Sequence, residues 1–324
     1  MKYANIIILG AGSIGTAIGN SLAGREDLKI RLLSIEEDVV ESISKEHINQ
    51  KYFPNIRLNP RLQATSNELL LQEADIILLA IPSVAVVDYL QKVRHLLPPQ
   101  TILVNLAKGF GCDKQIISDC IKEHLSNPVC ALKGPSFARE ILNNIPTSFT
   151  LASEDELVIN KVNPIFPGTN LYIDQSIDIK GVEILSILKN IYAIIIGIVD
   201  AQFNSPNLRF MIFTKAFNEM RNILLHFGGK EETMFKYCGI GDFGLTALND
   251  LSRNRTLGLL IGKGFFTEDI SGKVVLEGRI AMNVFLEKLA EDQVNPQQYA
   301  LMRELESVFR GNNDISGFVN KLLK

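Results

Sequence analysis

A lysine within a long apolar segment is the residue of this chain best suited to acid–base chemistry. Ile and Leu dominate residues 181–200, and the small and polar residues there recur every three or four positions, which predicts a helix with one polar stripe. Lys189 lies beside the stripe, and burial would lower the pKa of its amine toward neutrality, as proton transfer requires. Alternatively, its stem packs while its amine reaches water. The stripe comprises Glu183, Ser186, Asn190, Ala193 and Gly197.

A second cluster of polar residues follows a glycine-rich turn. Glycines surround Asp242 in the sequence GIGDFGLT, and the polar run DLSRNR ends at Arg255. Asp242 could hold a lysine in place, and Arg253 and Asn254 could form a fork around a phosphate group. A glycine turn followed by a solvated helix face explains the same spacing, so the pattern alone leaves both interpretations open.

Lysines also follow two predicted strands in the first half of the chain. Lys108 comes directly after a buried strand, in NLAKG, and the segment KGPSFARE repeats that placement from Lys133 onward. Ligands of an open α/β sheet bind at the carboxyl ends of its strands, so both segments are predicted to face a ligand. Ser136 lies at a predicted helix start, where it could equally serve as an N-cap.

The sequence GAGSIG at residues 10–15 predicts dinucleotide binding. This GxGxxG motif directly follows a predicted strand and opens a helix. Gly10 permits the tight turn, Gly12 lets a pyrophosphate approach the backbone, and Gly15 allows the helix and strand to pack closely. A glycine turn without a ligand is the alternative.

The residues after the second predicted strand favour NAD over NADP. The segment LSIEED, which includes Glu36, contains acids and no base, so a 2′-phosphate would meet repulsion there. These carboxylates could instead begin the next helix, whose positive N-terminal end they would stabilise.

Alternating strand and helix patterns predict the architecture that positions these residues. We expect a doubly wound α/β domain with a parallel sheet over residues 1–177 and an all-α domain over 178–324, with an active site between them. His47–Arg61 is predicted to be a loop insertion, and strands near 147–152 and 169–174 are expected to extend the sheet. The main predicted strands are Asn5–Leu9, Lys29–Leu33, Asp75–Ile81, Thr101–Leu106 and Pro128–Leu132. The predicted helices span 14–24, 36–46, 84–96, 114–124, 137–142, 180–202, 207–227, 243–262, 273–291 and 296–310.

Composition excludes several classes of function. The chain has 324 residues, a net charge of −3 and four cysteines without CxxC or metal-ligand spacing. These values predict a cytoplasmic protein with reduced thiols, no nucleic-acid partner and no bound metal. Glycines interrupt the apolar N-terminus too early for a secretory signal, and no uncharged apolar run approaches the ~20 residues that membrane insertion requires.

Taken together, these segments resemble the soluble NAD(P)-dependent glycerol-3-phosphate dehydrogenases. The resemblance extends from residue 10 to residue 278, in the order and spacing of that family. It rests on GAGSIGTA, AKG, GPSFARE, GVEI with LKN, the helix containing TK at 214–215, GIGDFGLT, DLSRNR and VVLEG.

The resemblance implies an N-terminal Rossmann domain, a helical C-terminal domain, a homodimer and a role in glycerophospholipid synthesis. It implies hydride transfer between NAD, with NADP as second candidate, and the pair dihydroxyacetone phosphate and sn-glycerol 3-phosphate. Lys189 would be the general acid/base, Asp242 its partner, and Lys108 a contact of both substrate and nicotinamide. The implied substrate-binding residues are Lys108, Gly134, Ser136, Asn190, Asp242, Ser252, Arg253 and Asn254. The implied cofactor-binding residues are Gly10, Gly12, Ser13, Ile14, Gly15, Lys108, Ala138, Arg253, Val275 and Glu277.

The chain departs from the family pattern at several positions. Ile14 replaces an aromatic residue of the glycine loop, Ile35 replaces a basic residue after the second strand, and Lys133 replaces a serine before GPSFA. The turn at 201–206 also differs. These departures motivate two alternative hypotheses, namely a related reductase of another phosphorylated or carboxylated ketone and a dinucleotide-binding sensor without turnover.

Overall fold

An eight-stranded sheet organises the N-terminal part of the chain in the computed structural model, which describes residues 4–265, 272–310 and 315–323. Internal contacts divide the chain into two units, Met1–Ile179 and Lys180–Lys324. The functional division into domains at 177/178 stays a prediction. The strands are β1 (Ala4–Leu9), β2 (Leu28–Leu33), β3 (Ile48–Asn49), β4 (Phe53–Arg57), β5 (Gln63–Thr65), β6 (Ile76–Leu79), β7 (Ile102–Asn105), β8 (Val129–Lys133), β9 (Thr147–Ala152) and β10 (Leu171–Ser176).

Six neighbouring strands of this sheet run parallel, in the order β5-β2-β1-β6-β7-β8. This order corresponds to 3-2-1-4-5-6, in which the winding reverses between the first and fourth strands, here β1 and β6. β9 pairs antiparallel with β8, and β10 pairs parallel with β9. The predicted doubly wound sheet is therefore confirmed, and the two expected extra strands extend it in the opposite direction.

Central strands of the sheet consist mostly of apolar residues because they are covered on both faces. β6 and β7 are buried at every position, as strands of a doubly wound sheet must be. The helices of this unit are α1 (Ser13–Leu22), α2 (Glu37–Glu41), α3 (Ser83–Val93), α4 (Ile117–His124), α5 (Ala138–Leu142) and α6 (Glu156–Val162).

The insertion between α2 and β5 is not the loop that the sequence predicts. Residues 48–57 form an antiparallel hairpin of β3 and β4, and the three-residue edge strand β5 follows it. These strands are short and mostly polar, and Pro54 interrupts the second one, so they lack the alternation by which strands are recognised.

Helices alone make up the C-terminal unit within the residues that the structure describes. Residues 243–262, predicted to form one helix, form two. The break arises because Asn249 accepts a hydrogen bond from the N–H of Leu251 (2.9 Å) and Ser252 accepts one from Arg255 (3.3 Å). Such local side-chain bonds compete with the helix and start a new one. The helices are α7 (Ile179–Gln202), α8 (Pro206–His226), α9 (Asp242–Leu248), α10 (Arg253–Gly262), α11 (Gly272–Glu291), α12 (Ala300–Phe309) and α13 (Phe318–Leu323).

The small residues of the stripe on α7 allow a close helix crossing. A Cβ added to Gly197 would overlap the carbonyl oxygen of Arg255, and one added to Gly258 would overlap that of Ile194. The backbones of α7 and α10 are therefore in direct contact. α7 is also the one helix, among those described, that is long and apolar enough to span a membrane, but 94% of its most apolar stretch is buried inside the protein, as in a core helix.

A buried carboxyl group links α8 to the start of α12. Glu219 is 6% exposed, and it accepts a hydrogen bond from the backbone N–H of Leu301 (2.9 Å). Burial raises the pKa of Glu219 to about 8, although backbone donors at Leu301 and Met302 favour the charged form. The group therefore takes up a proton on folding at neutral pH.

We expect this carboxyl group to make folding stability depend on pH between about 5 and 8. Its pKa is higher in the folded than in the unfolded protein, so the stability it contributes is present at low pH and declines as pH rises through this window. Glu219→Gln should therefore gain in relative free energy of unfolding as pH rises, by up to about 1.4 kcal/mol per pH unit.

The measurement is urea unfolding of both proteins at pH 5, 6, 7 and 8. Glu231→Gln is the matched control, because the Arg221 guanidinium lowers the pKa of that exposed carboxyl and keeps it ionised across this window. A constant difference between Glu219→Gln and the original protein from pH 5 to 8 would contradict the assignment.

Candidate active site

The amine of Lys189 forms a buried ion pair with Asp242. Its Nζ lies 2.7 Å from Oδ1 of Asp242 and 2.7 Å from Oγ1 of Thr246. Lys189 is 5% exposed and Asp242 is 1% exposed. The alternative in which this amine reaches water is therefore wrong, and the polar residue beside the stripe of α7 is directed into the protein.

The start of α9 positions both partners of this amine. Asp242 and Thr246 are one helical turn apart, so their side chains lie on the same face. Asp242 is in the first turn, where the positive end of the helix dipole stabilises a carboxylate. The glycine-rich turn before the helix is required by packing, since a Cβ on Gly239 would overlap the carbonyl oxygen of Met234. Thr246 was missed by the sequence analysis, and its spacing of four from Asp242 was the available signal.

This arrangement favours a charged amine in a dry environment. A carboxylate at 2.7 Å stabilises the ammonium form against the cost of burial, and the hydroxyl of Thr246 satisfies a further N–H donor. An ammonium group fixed in this way can donate a proton to an oxygen that develops negative charge.

Three predicted substrate-binding residues lie together at the start of α10. Ser252, 5% exposed, caps this helix, while Arg253 is exposed and Asn254 is half-buried in its first turn. Asn190 is half-buried next to Lys189 on α7, and its Nδ2 donates a long bond to the carbonyl of Ser186 (3.4 Å).

Arg255, which the sequence analysis did not assign, fixes the start of α10. It is buried, and its guanidinium pairs with Asp200 and with Asp250 (3.1 Å) and donates to the carbonyl of Ala247 (3.2 Å). Arg209 also binds Asp200, at 2.6 Å. The two arginines of DLSRNR thus differ, since Arg255 is held inside the protein while Arg253 is exposed.

In the N-terminal unit, the glycine-rich turn lies where the winding of the sheet reverses. Gly10 has φ +105°, and a Cβ on it would lie 2.7 Å from the carbonyl oxygen of Ala80, which follows β6. A Cβ on Gly15 would overlap the carbonyl oxygen of Gly10, whereas one on Gly12 would meet nothing within 4 Å. No side chain caps α1, which begins with Ser13 and Ile14. Open space over Gly12 and an uncapped helix start fit a bound pyrophosphate.

Asn49, in the hairpin, forms hydrogen bonds that stabilise the glycine-rich turn. Its Nδ2 donates to the carbonyl of Ala11 (2.9 Å) and to the hydroxyl of Thr16 (2.8 Å), which itself donates to Ala11 (3.1 Å). All three residues are buried. No local sequence signal identifies Asn49, because it lies in the segment predicted to be a loop.

The hairpin also changes the interpretation of the acidic segment after β2. Lys51, in the turn of the hairpin, forms an ion pair with Glu36, and the Tyr52 hydroxyl donates to the same carboxylate (3.3 Å). A base is therefore present beside Glu36, although none occurs in the segment LSIEED. The ammonium of Lys51 therefore offsets part of the repulsion that a 2′-phosphate would meet at Glu36, and the preference for NAD over NADP stays a prediction. Glu37 and Asp38 occupy the first turn of α2, as the helix-start alternative predicts, and a contact of Glu36 with the ribose stays a prediction.

The loops after β7 and β8 bring Lys108, Gly134 and Ser136 together. The amine of Lys108 and the hydroxyl of Ser136 both donate to the carbonyl of Gly134, at 3.2 and 3.0 Å. The N-cap of α5 is Phe137, so the N-cap interpretation of Ser136 is wrong. Ala138 begins α5, which packs against α1.

The two remaining predicted cofactor contacts, Val275 and Glu277, lie in the first turns of α11, and their side chains are outside the described residues.

An open sheet with this strand order and a glycine-rich turn at its reversal point defines the class of dinucleotide-binding domains. Comparison with known families makes this more specific. The description NAD-dependent glycerol-3-phosphate dehydrogenase N-terminus matches residues 5–158, and the corresponding C-terminus matches residues 178–320. The chain therefore belongs to the NAD-dependent glycerol-3-phosphate dehydrogenase family, and the resemblance stated from its motifs is confirmed.

Individual relatives support this membership. The chain is 34% identical over 281 residues to a glycerol-3-phosphate dehydrogenase [NAD(P)+] of Halothermothrix orenii, covering 84% of this chain and 81% of the relative. A Geobacter sulfurreducens protein of the same name is 35% identical over 282 residues, covering 84% and 83%. The crystal structure of a glycerol-3-phosphate dehydrogenase from Coxiella burnetii matches with a TM-score of 0.89 at 28% identity, covering 100% of both chains.

Proposed function

We propose that this protein is an NAD(P)-dependent glycerol-3-phosphate dehydrogenase, which interconverts dihydroxyacetone phosphate and sn-glycerol 3-phosphate. Membership of the family and the names of the bacterial relatives support the reaction. The structural observation that carries the proposal is the buried ion pair of Lys189 and Asp242, because a protein that only bound a dinucleotide would have no use for it.

In this proposal Lys189 is the acid–base group. The glycine-rich turn would hold the dinucleotide, whose nicotinamide would supply hydride chemistry at the ketone carbon. Lys189 would donate a proton to the carbonyl oxygen, so that one hydride and one proton convert the ketone to the alcohol. Asp242 and Thr246 hold the amine in place, each at 2.7 Å from its nitrogen. In the reverse reaction the neutral amine accepts the proton.

The remaining residues are proposed to bind the two ligands. Anchoring the phosphate away from the reacting carbon fixes the carbonyl for reaction, and an exposed Arg253 with Asn254 suits that role. The other proposed substrate contacts are Lys108, Gly134, Ser136, Asn190 and Ser252. The proposed cofactor contacts are Gly10, Gly12, Ser13, Ile14, Gly15, Lys108, Ala138, Arg253, Val275 and Glu277.

Assembly and cellular role belong to the same proposal. The family resemblance supports a cytoplasmic homodimer that feeds glycerophospholipid synthesis. It also supports residues 1–177 as the cofactor domain and residues 178–324 as the substrate and catalytic domain.

The decisive experiment is the initial rate of NADH and NADPH oxidation, measured separately with dihydroxyacetone phosphate and with a panel of 2-keto acids. We expect dihydroxyacetone phosphate to be preferred. Faster turnover of a keto acid would point to a related reductase instead, and the absence of turnover with every substrate would point to a dinucleotide-binding sensor.

Cofactor preference is expected to depend on the pair formed by Glu36 and Lys51. Glu36→Gln removes the carboxylate that repels a 2′-phosphate and releases Lys51, so the ratio of kcat/KM for NADPH to that for NADH should rise by about tenfold, or 1.4 kcal/mol. Lys51→Met leaves the carboxylate and removes the cation, so the ratio should fall.

Steady-state kinetics with both cofactors measures this ratio. Lys45→Met is the matched control, because Lys45 forms a similar exposed pair with Glu41 on the helical segment that follows Glu36. Equal ratios for Glu36→Gln and Lys51→Met would show that this pair does not contact the cofactor.

A further inference from the structure

Two lysines connect the loops that follow β7 and β8. Lys133, the last residue of β8, donates from its amine to the carbonyl oxygen of Ala107. In the opposite direction, Lys108 donates to the carbonyl oxygen of Gly134 at 3.2 Å. We call Lys108 and Lys133 the crossed lysines, because the amine of each binds a backbone carbonyl next to the other in sequence.

The burial of Lys133 is unusual for a lysine. Its side chain is 0% exposed, which places it among the largest fully buried side chains of the protein. An ammonium group removed from water is costly unless hydrogen bonds compensate, and lysines are almost never buried in this way without a partner. The amine at this position is therefore fixed, and the carbonyl that it binds is fixed with it.

Other contacts hold the loop of Lys108 on both sides of that carbonyl. The N–H of Ala107 donates to the side chain of Asn105, which is 1% exposed, at 2.9 Å. Both backbone polar groups of Ala107 are therefore bound by buried side chains. Next to Lys108, a Cβ on Gly109 would overlap the hydroxyl of Ser83, so the chain there is also closely packed.

The second loop is equally constrained. A Cβ on Gly134 would overlap the carbonyl oxygen of Ser148 and lie 2.8 Å from the Cα of Phe149. The carbonyl of Gly134 accepts from Ser136 as well as from Lys108. Lys108 thus donates to an acceptor in a closely packed loop, and the loop that carries Lys108 is itself bound by Lys133.

We propose that Lys133 is a positioning residue for the reaction, which acts by fixing the loop from which Lys108 reaches the ligands. The inference rests on the proposed function, in which Lys108 contacts substrate and nicotinamide. An oriented cation loses no further freedom when the substrate binds, and misplacement of such a group by about 1 Å costs roughly 10²-fold in rate.

A double-mutant cycle tests the proposal. Lys133→Met keeps the length of the side chain and removes the donor, Lys108→Met removes the group that it positions, and the third variant carries both changes. The matched control is Lys122→Met, which removes an exposed lysine of α4 that pairs with Glu154. The readouts are kcat and KM for dihydroxyacetone phosphate, the Kd for NADH from fluorescence, and the midpoint of thermal unfolding.

We expect Lys133→Met to lower kcat/KM by about tenfold or more in a folded protein, and to have no further effect once Lys108 is replaced. The same loss in both backgrounds would mean that Lys133 does not act through Lys108 and would overturn the proposal. So would a kcat/KM for Lys133→Met within twofold of that of Lys122→Met. If Lys133→Met does not fold, Lys133→Leu, which also removes the donor, takes its place in the same cycle.

A crystal structure of the Lys133 variant separates this proposal from the proposed function. We expect the amine of Lys108 to leave the carbonyl of Gly134, and an unchanged hydrogen bond there would overturn the positioning role whatever the substrate. Failure of the original protein to turn over dihydroxyacetone phosphate with either cofactor would instead remove the proposed function, and the structural comparison would still decide the role of Lys133.

Discussion

Replacement of Lys189 by methionine is expected to lower kcat by about 10³-fold or more while the Kd for NADH changes by less than about threefold. General acid catalysis and stabilisation of the developing oxyanion each contribute about 10² or more, and one amine would supply both. The glycine-rich turn, which is the proposed cofactor site, lies in the N-terminal unit, whereas Lys189 lies on α7 of the helical unit. The measurements are steady-state kinetics with dihydroxyacetone phosphate and fluorescence titration with NADH.

A second variant separates the loss of catalysis from a loss of folding stability. Lys189→Met leaves the carboxylate of Asp242 buried without this partner. Breaking a buried ion pair in this way lowers the free energy of unfolding by roughly 3–5 kcal/mol. Lys189→Met combined with Asp242→Asn removes both charges, so it should recover much of the stability and none of the activity. Near-normal kcat in either folded variant would show that Lys189 is not the acid–base group.

Replacement of Gly258 by alanine is expected to lower the free energy of unfolding by about 3 kcal/mol or more. The new Cβ would overlap the carbonyl oxygen of Ile194 and lie 2.9 Å from the Cα of Gly197, so α10 must move away from α7. Because Ser252, Arg253 and Asn254 lie at the start of α10, KM for the phosphorylated substrate should rise in any folded fraction.

Urea unfolding measures this effect, and Gly244→Ala is the matched control. Gly244 is also helical, but a Cβ there would meet nothing within 4 Å, so alanine should stabilise α9 by roughly 0.5–1 kcal/mol. Equal stabilities of the Gly258 and Gly244 variants would mean that the two backbones are not in contact at this crossing.

The sequence was most informative where chemistry and local geometry coincide. GxGxxG requires a particular turn between a strand and a helix, and the structure has that turn between β1 and α1. A lysine in an apolar helix requires a buried partner, and Asp242 was predicted to be that partner because glycines flank it in the sequence. In both cases the residues that carry the signal are close in sequence to the elements that use it, so the pattern predicts the structure.

Contacts between distant segments could not be predicted in this way. Asn49 reaches the glycine-rich turn from 38 residues away, and Lys51 reaches Glu36 from 15 residues away. Neither contact leaves a periodic pattern, because the hairpin that carries both residues is short and polar. The break between α9 and α10 was missed for a different reason, since apolar residues on either side continue the helical pattern across Asn249 and Ser252.

The hairpin of β3 and β4 has a consequence for the evolution of this protein. This one short insertion supplies both the amide of Asn49, which binds the glycine-rich turn, and the ammonium of Lys51, which pairs with Glu36. If the pair of Glu36 and Lys51 contacts the cofactor as proposed, exchange of residues 48–57 as one segment would alter nucleotide selectivity and leave the parallel strands and the pair of Lys189 and Asp242 unchanged.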